Sequence, residues 1–209
     1  YDRIERMLAI EPEIKDAKEA ATTVASTDLQ VAVDRFVYDT QPVLENIHVT
    51  LTPGRTLGIV GRTGAGKSTF VRLLSREYDV KYGSIAIGGQ DVKQLTRETV
   101  RKQVAIVPQD HFLFSASIAD NIAFAKPDAS MEEIMEAARI AAVHEDILGF
   151  TEGYATMVGE RGVTLSGGQK QRISIARALL ADCPILVLDD ALSAVDAKTE
   201  EAIIEHFRT

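Results

Sequence analysis

From Leu29 onward apolar and polar residues alternate: Leu29, Val31 and Val33 face one way, with Gln30 and Asp34 among the polar positions between them. That is the period of a strand with one buried face. Residues 29–60 therefore read as several strands, with turns at Asp39-Thr-Gln-Pro42 and Thr52-Pro-Gly54. Thr56-Leu-Gly-Ile-Val60 predicts a buried strand running into a glycine-rich loop, and Ser68 to Tyr78 the helix that follows. Gly83 to Ile87 and Val104 to Val107 are further short apolar strands. Between residues 112 and 182 the period becomes helical. Ser130-Met-Glu-Glu133 has the form of a capping box, and Ile134, Ala137, Ala138 and Ala141 follow on one face. A further helix starts at Ser166-Gly-Gly168, with Ile173, Ala176 and Leu180 on its inner side. Ile185 to Leu188, between Pro184 and the pair Asp189-Asp190, predicts a central parallel strand. At the start, residues 1–9 read as the end of a charged amphipathic helix and residues 10–27 as a linker.

Composition narrows this picture without changing it. A chain of 209 residues, 45% hydrophobic and 26% charged, suits one globular domain with room for an inserted subdomain. The net charge of −8 argues against a nucleic-acid groove, which needs a basic face, but leaves a local phosphate pocket open. Cys183 is the single cysteine. Beside an apolar run it reads as a small buried residue of a reducing compartment rather than a nucleophile. No apolar run reaches the roughly 18 residues that span a bilayer, and the charges in Tyr1 to Leu8 do not suit a signal peptide. Ile203 to Phe207 resembles a helix without a terminal cap, so the sequence is expected to be a fragment.

Three segments carry chemistry. Gly61, Arg62, Thr63, Gly64, Ala65, Gly66, Lys67, Ser68 and Thr69 match the phosphate-loop pattern between a strand and a helix. The glycines let backbone N–H groups turn inward onto phosphate oxygens, and the helix start adds its positive end. Lys67 can reach the β- and γ-phosphates and Ser68 can ligate Mg²⁺. Ile185-Leu-Val-Leu-Asp189 is the companion strand, placing Asp189 beside that metal. In Leu165-Ser-Gly-Gly-Gln169, Ser166 and the amides of Gly167 and Gly168 make a second helix start suited to an anion. The expected ligands are ATP and Mg²⁺.

Leu165 to Gln169, followed by Lys170-Gln-Arg172, resembles the signature motif of ATP-binding cassette (ABC) ATPases, and nearly the whole chain from Leu29 resembles that family. The resemblance implies that Ser166, Gly167, Gly168 and Gln169 reach across a head-to-tail dimer to the γ-phosphate of ATP in a partner's phosphate loop. Gln109, after Val104 to Pro108, resembles the Q-loop glutamine, which contacts Mg²⁺ and the attacking water. Tyr38 matches the A-loop aromatic that stacks on adenine; packing within a sheet is the alternative reading of that tyrosine. Ser193-Ala-Val-Asp196 resembles the D-loop that links the two sites. The implied fold is α/β: a P-loop NTPase core with a mainly parallel sheet, an antiparallel β subdomain, and an inserted α-helical subdomain at about residues 110–172. Residues 1–27 are then a connector from an upstream transmembrane domain, and 28–209 the nucleotide-binding domain, truncated before the switch-histidine loop. His206 lies too close to Asp190 to be that histidine.

Phe112 to Ile122 and Val158-Gly-Glu-Arg-Gly162 resemble segments typical of exporter-type cassettes, the second communicating with membrane-domain loops. Met157 sits where the family often has glutamate. The implied protein is a half-transporter with its cassette on the cytoplasmic side of the membrane. Alternatives are a soluble ABC ATPase acting on ribosomes or chromosomes, for which neither heptads nor a basic balance speak, and an importer ATPase subunit.

One departure stands out. Efficient members have a glutamate after the Walker B aspartate, acting as general base on the lytic water; here that position is Asp190. Aspartate is one methylene shorter, a retreat of about 1.5 Å, and misplacement of that order costs about a hundredfold in rate. A backbone shift that restores the reach is the alternative. Within the family an aspartate here with an intact signature motif points to an asymmetric heterodimer, in which this chain's loop serves the weak site and its signature segment completes the competent one. Lys67, Gln109 and Asp190 are accordingly the expected catalytic residues, and Ser68, Gln109 and Asp189 the metal ligands.

Overall fold

The computed structural model describes residue 5 and residues 12–159, 163–193 and 195–206. They fall into two compact units, Tyr1–Arg101 and Lys102–Thr209. The helix expected at residues 1–9 lies, apart from residue 5, outside the described residues.

The first unit is built on an antiparallel sheet of order β2-β1-β3-β4, comprising β1 (Leu29–Val37), β2 (Pro42–Leu51), β3 (Tyr82–Ile87) and β4 (Gln90–Asp91). β1 is flanked on both sides, Leu29 opposing Leu51 in β2 and Ile87 in β3. The alternation in the sequence finds its cause here: Leu29, Val31, Val33 and Phe36 are buried with Ile85 and Ile87. Helix α1 (Lys67–Leu74) buries Phe70, Leu73 and Leu74.

Helix α1 ends well before Tyr78. Arg76 takes a left-handed conformation (φ 53°), and its N–H donates to Leu73 O while Glu77 N–H donates to Arg72 O, the paired closure of a Schellman motif. The buried Arg76 guanidinium holds this corner, donating to Asp79 Oδ1 (3.0 Å), Leu95 O (2.7 Å) and Lys15 O (3.3 Å). Lys15 belongs to the expected linker, whose described part is also tied down where Ala21 exchanges backbone hydrogen bonds with Gln94 and Thr96. Helix α2 (Arg97–Gln103) follows.

The second unit pairs β5 (Val104–Val107) in parallel with β6 (Ile185–Leu188), Val107 opposite Leu188. Around them lie α3 (Ile118–Ala123), α4 (Met131–Ile140), α5 (His144–Leu148), α6 (Gly167–Leu180) and α7 (Ala197–His206). Ile118, Ile122, Ile134, Ala138, Ile147 and Ile173 share one apolar core, to which α6 also gives Ile175 and Ala176. The capping box on α4 forms as its sequence predicts, Ser130 Oγ accepting from Glu133 N–H and Glu133 from Ser130 N–H.

Two expectations require correction. Thr56 to Val60 is not a strand: it has no ladder partner among the described residues, and Leu57, Ile59 and Val60 are 39%, 46% and 94% exposed. An apolar run marks a preference, but a strand needs a neighbour for its N–H and C=O groups, and Gly58 weakens the preference further. For the same reason β6, with β5 as its one ladder partner among the described residues, is half-buried throughout rather than a fully buried central strand.

Helix α4 closes as α1 does, with Ala142 at φ 53° and Val143 N–H donating to Ala138 O. An alanine there pays a steric cost that glycine does not, so Ala142→Gly is expected to raise stability by about 1 kcal/mol in a urea titration. His111 Nδ1 is buried without a hydrogen-bond partner among the described residues. Burial pushes the His111 pKa below its ordinary 6.5, against the smaller opposing pull of Asp110 and Asp190. The unfolded chain therefore binds this proton first on acidification, and stability should fall as pH drops below about 6.5. Thermal melts of His111→Leu across pH 7 to 5 should show a shallower decline than the parent; equal slopes would contradict the assignment.

Candidate functional site

Glycine carries the loop ahead of α1 for two reasons. Gly64 and Gly66 have φ of +83° and +90°, conformations L side chains rarely adopt. A Cβ on Gly66 would also lie 2.7 Å from Leu44 Cδ2 and 3.0 Å from Val43 O, so the helix start can approach β2 only without one. The loop folds on itself through Ala65 N–H donating to Arg62 O. The Lys67 ammonium is drawn over it, donating to Gly61 O (2.8 Å) and Arg62 O (3.2 Å). Gly66 forms the left-handed N-cap and supplies no side-chain cap, so first-turn amides of α1 are not consumed by a capping side chain. Ser68 is exposed and Thr69 buried. Arg62 and Thr63 lie in the exposed loop.

Tyr38 joins this loop. Its hydroxyl donates to Thr69 Oγ1 (3.1 Å), and its ring makes edge contacts with Phe36 and Tyr78 at 5.2 and 5.1 Å. Tyr38 as a whole is 42% exposed. Arg72, one turn along α1 from Ser68, has its pKa raised first by a hydrogen bond with Tyr38.

In the second unit, parallel pairing delivers Gln109, Asp189 and Asp190 to one edge, since β5 and β6 end together at Val107 and Leu188. The carboxyl ends of parallel strands are where such sheets bind ligands. Asp189 N–H donates to Val107 O (3.0 Å), continuing the ladder. Gln109 is exposed in a bend two residues after β5. Asp190 has φ 52°. Its carbonyl accepts from Ser193 Oγ (3.0 Å) and from the buried Gln171 amide (3.4 Å). Such a backbone is sparsely populated for a residue other than glycine and has to be held by its surroundings.

Helix α6 begins with a second capping box. Ser166 Oγ accepts from Gln169 N–H (3.2 Å) and Gln169 Oε1 accepts from Ser166 N–H (3.0 Å). The box leaves the amides of Gly167 and Gly168, with the Ser166 hydroxyl proton, as the donors it does not use. Ser166 and Gly167 are exposed. The same tip is tied to α5: Gln169 Nε2 donates to Asp146 Oδ1 (3.0 Å), and Arg172 Nη1 to Asp146 Oδ2 (2.8 Å).

Sequence reasoning overlooked Asp146 and Arg177, and quoted Arg172 only as part of the signature stretch without a role. Arg177 anchors the segment after Gln109 to α6, donating to Asn121 O (2.7 Å), Asn121 Oδ1 (3.1 Å) and Phe112 O (3.2 Å), and lies over the rings of Phe114 and Phe124. Phe112 and Phe124 are largely exposed, and Met157 sits beside this segment through a bridge with Ser117. Of Val158 to Gly162, residues 160–162 lie outside the described residues, as does Ala194 of the segment Ser193 to Asp196. Cys183 is half-buried, and burial pushes its thiol above its ordinary value, which suits a packing residue. Among the described residues no helix is long and apolar enough to cross a membrane.

Comparison with known proteins places this geometry in a family. Residues 44–193 match the model of the ABC transporter family. The chain is 48% identical over its full length to the multidrug resistance-like ATP-binding protein MdlA of Escherichia coli, covering 35% of that protein. It is 48% identical to human ATP-binding cassette sub-family B member 6 over 79% of the chain and 20% of the relative. The chain thus spans about a third or less of these relatives. A bacterial Atm1-family ABC exporter solved with ATP bound superposes with a TM-score of 0.93 at 39% identity, over 99% of this chain and 36% of that one. The chain belongs to the ABC transporter family, whose ATPase domains bind ATP, generally with Mg²⁺.

Proposed function

We propose that this chain is the nucleotide-binding domain of an exporter half-transporter, working on the cytoplasmic face of a membrane and driven by head-to-tail association around ATP. Residues 1–27 are its connector to a fused transmembrane domain, residues 28–209 the cassette, and about 110–172 the helical subdomain. The observation that carries the proposal is the pair of helix starts at Gly66 and Ser166, whose first-turn donors suit phosphate. The relatives support export as the direction of transport: they include a multidrug resistance-like protein, an ATP-dependent lipid A-core flippase of Syntrophus aciditrophicus, 42% identical over 97% of the chain and covering 34% of that relative, and the Atm1-family exporter.

In this account the amides of Gly61 to Thr69 and Lys67 receive the phosphates, and the exposed Tyr38 takes the adenine. Ser68, Gln109 and Asp189 offer the oxygen donors Mg²⁺ prefers, a metal that binds through few protein ligands plus substrate phosphates. Bound there, Mg²⁺ would neutralise charge developing on the phosphates. Ser166, Gly167 and Gly168, with Gln169 holding Ser166, complete the site built on a partner cassette. The exposed Phe112, Phe114, Phe124 and Met157 suit contact with a membrane domain, since exposed apolar clusters of this kind mark interaction surfaces.

Asp190 makes this chain's own site the weak one of an asymmetric pair. Its carboxylate has the charge of the usual glutamate and lacks its reach. The doubly held Asp190 carbonyl supports this reading, because it resists the backbone shift that would bring the shorter side chain forward. The partner in this pair is a different cassette bearing glutamate.

In the full-length assembly, with the partner's own hydrolysis disabled, Asp190→Glu is expected to raise phosphate release by about a hundredfold. Equal rates for parent and variant would remove the weak-site assignment. Removing the ring in Tyr38→Ala should weaken binding of a fluorescent ATP analogue by roughly tenfold, the scale of base stacking on an aromatic. Tyr38→Phe, which keeps the ring and loses the hydroxyl's bonds to Thr69 and Arg72, should stay close to the parent. Similar losses in both variants would point to the hydroxyl rather than stacking.

A further inference from the structure

We infer that Asp146 is a positioning residue for the signature helix, setting the direction of the Ser166 hydroxyl and the Gly167 and Gly168 amides through Gln169 and Arg172. The inference rests on the reading of Ser166 as a phosphate-gripping helix start and adds the device that aims it. Asp146 lies in the first turn of α5, twenty or more residues from the motif it touches. Each of its carboxylate oxygens has a separate partner on α6: Oδ1 accepts from Gln169 Nε2 and Oδ2 from Arg172 Nη1. Arg172 closes the arrangement, donating also to Gly168 O (3.3 Å) and Ala142 O. The corner from Ala142 to Asp146 thus holds α6 at its first turn.

The consequence falls on Gln169. Its Oε1 is occupied by Ser166 N–H and its Nε2 by Asp146, so both ends of the amide are engaged inside the chain. Its backbone N–H is taken by Ser166 Oγ. That last bond makes the Ser166 oxygen an acceptor toward its own helix and leaves its proton directed elsewhere. Gln169 therefore serves by holding Ser166, and Asp146 by holding Gln169. Arg172 is 17% exposed in its side chain and Asp146 31%, so the ion pair is only partly screened and its hydrogen bonds are charge-assisted.

The test uses the full-length assembly, comparing Asp146→Ala, Gln169→Ala, their combination and Ser166→Ala. Two quantities are read: ATP hydrolysis, and photolabelling of this chain by 8-azido-ATP, which reports its own glycine loop and its folding. Asp146→Ala should cut hydrolysis roughly tenfold, the scale of losing a charged hydrogen bond, with labelling unchanged. Added to Gln169→Ala it should cost less than a further twofold, because the two act in series. If Asp146→Ala lowers labelling as well, Asp146→Asn replaces it; that variant keeps an acceptor for Gln169 and loses the charge facing Arg172, and a several-fold loss of hydrolysis is expected. Impaired Ser166→Ala with parental hydrolysis in the Asp146 variants, or full additivity in the cycle, overturns the positioning role alone. Parental hydrolysis in Ser166→Ala overturns the reading of the helix start, and the inference with it.

Discussion

An α-helix begins with main-chain N–H groups that have no partner inside the helix, and in this chain α1 follows a glycine N-cap while α6 opens on two glycines. At α1 the N-cap is a glycine with no side chain to offer, and Lys67 is gathered over the carbonyls of Gly61 and Arg62 in the loop before it. At α6 a serine caps one amide and the motif's two glycines keep theirs. Both arrangements carry partial positive charge without a bulky side chain in front of it, which is what a phosphate requires. Much of the surrounding structure keeps these tips rigid: Gly66 against β2, Tyr38 bonded to Thr69, Gln169 and Arg172 bonded to Asp146.

In the proposed weak site, rigidity is what would give a single methylene at Asp190 its weight. Its left-handed backbone is fixed through a carbonyl held by Ser193 and Gln171, and Gln171 is one turn along the helix that Ser166 opens. The carboxylate is thus carried on a main chain with little freedom to move. A shorter side chain on a fixed main chain stays short. The tip of α6 and the carboxylate edge of β6 are therefore linked inside one unit by a buried amide.

The parts of this architecture legible in the sequence are those whose cause is local. Alternation gave β1 because Leu29, Val31 and Val33 meet one core, and Ser130 with Glu133 announced the start of α4 because a capping box is complete within four residues. The glycine loop and the α6 tip were legible for the same reason. What escaped was set at a distance. The end of α1 depends on Arg76 finding Leu95 and Lys15, neither of which its own segment predicts. Thr56 to Val60 has strand composition, and composition does not name a ladder partner. Asp146 carried no signal at all, since an aspartate in the first turn of a short helix ordinarily serves that helix; only its spacing to Gln169 and Arg172 in three dimensions gives it a role.

The central claim is that the Ser166 tip grips a triphosphate bound by another cassette's glycine loop. The most direct measurement is a structure of the full-length assembly with trapped Mg–ATP. In that structure the Ser166 hydroxyl is expected within hydrogen-bond distance, about 2.6–3.0 Å, of a γ-phosphate oxygen whose β-phosphate sits in the partner's loop. Ser166 facing solvent, or bonded to protein alone, in the nucleotide-bound assembly would contradict it.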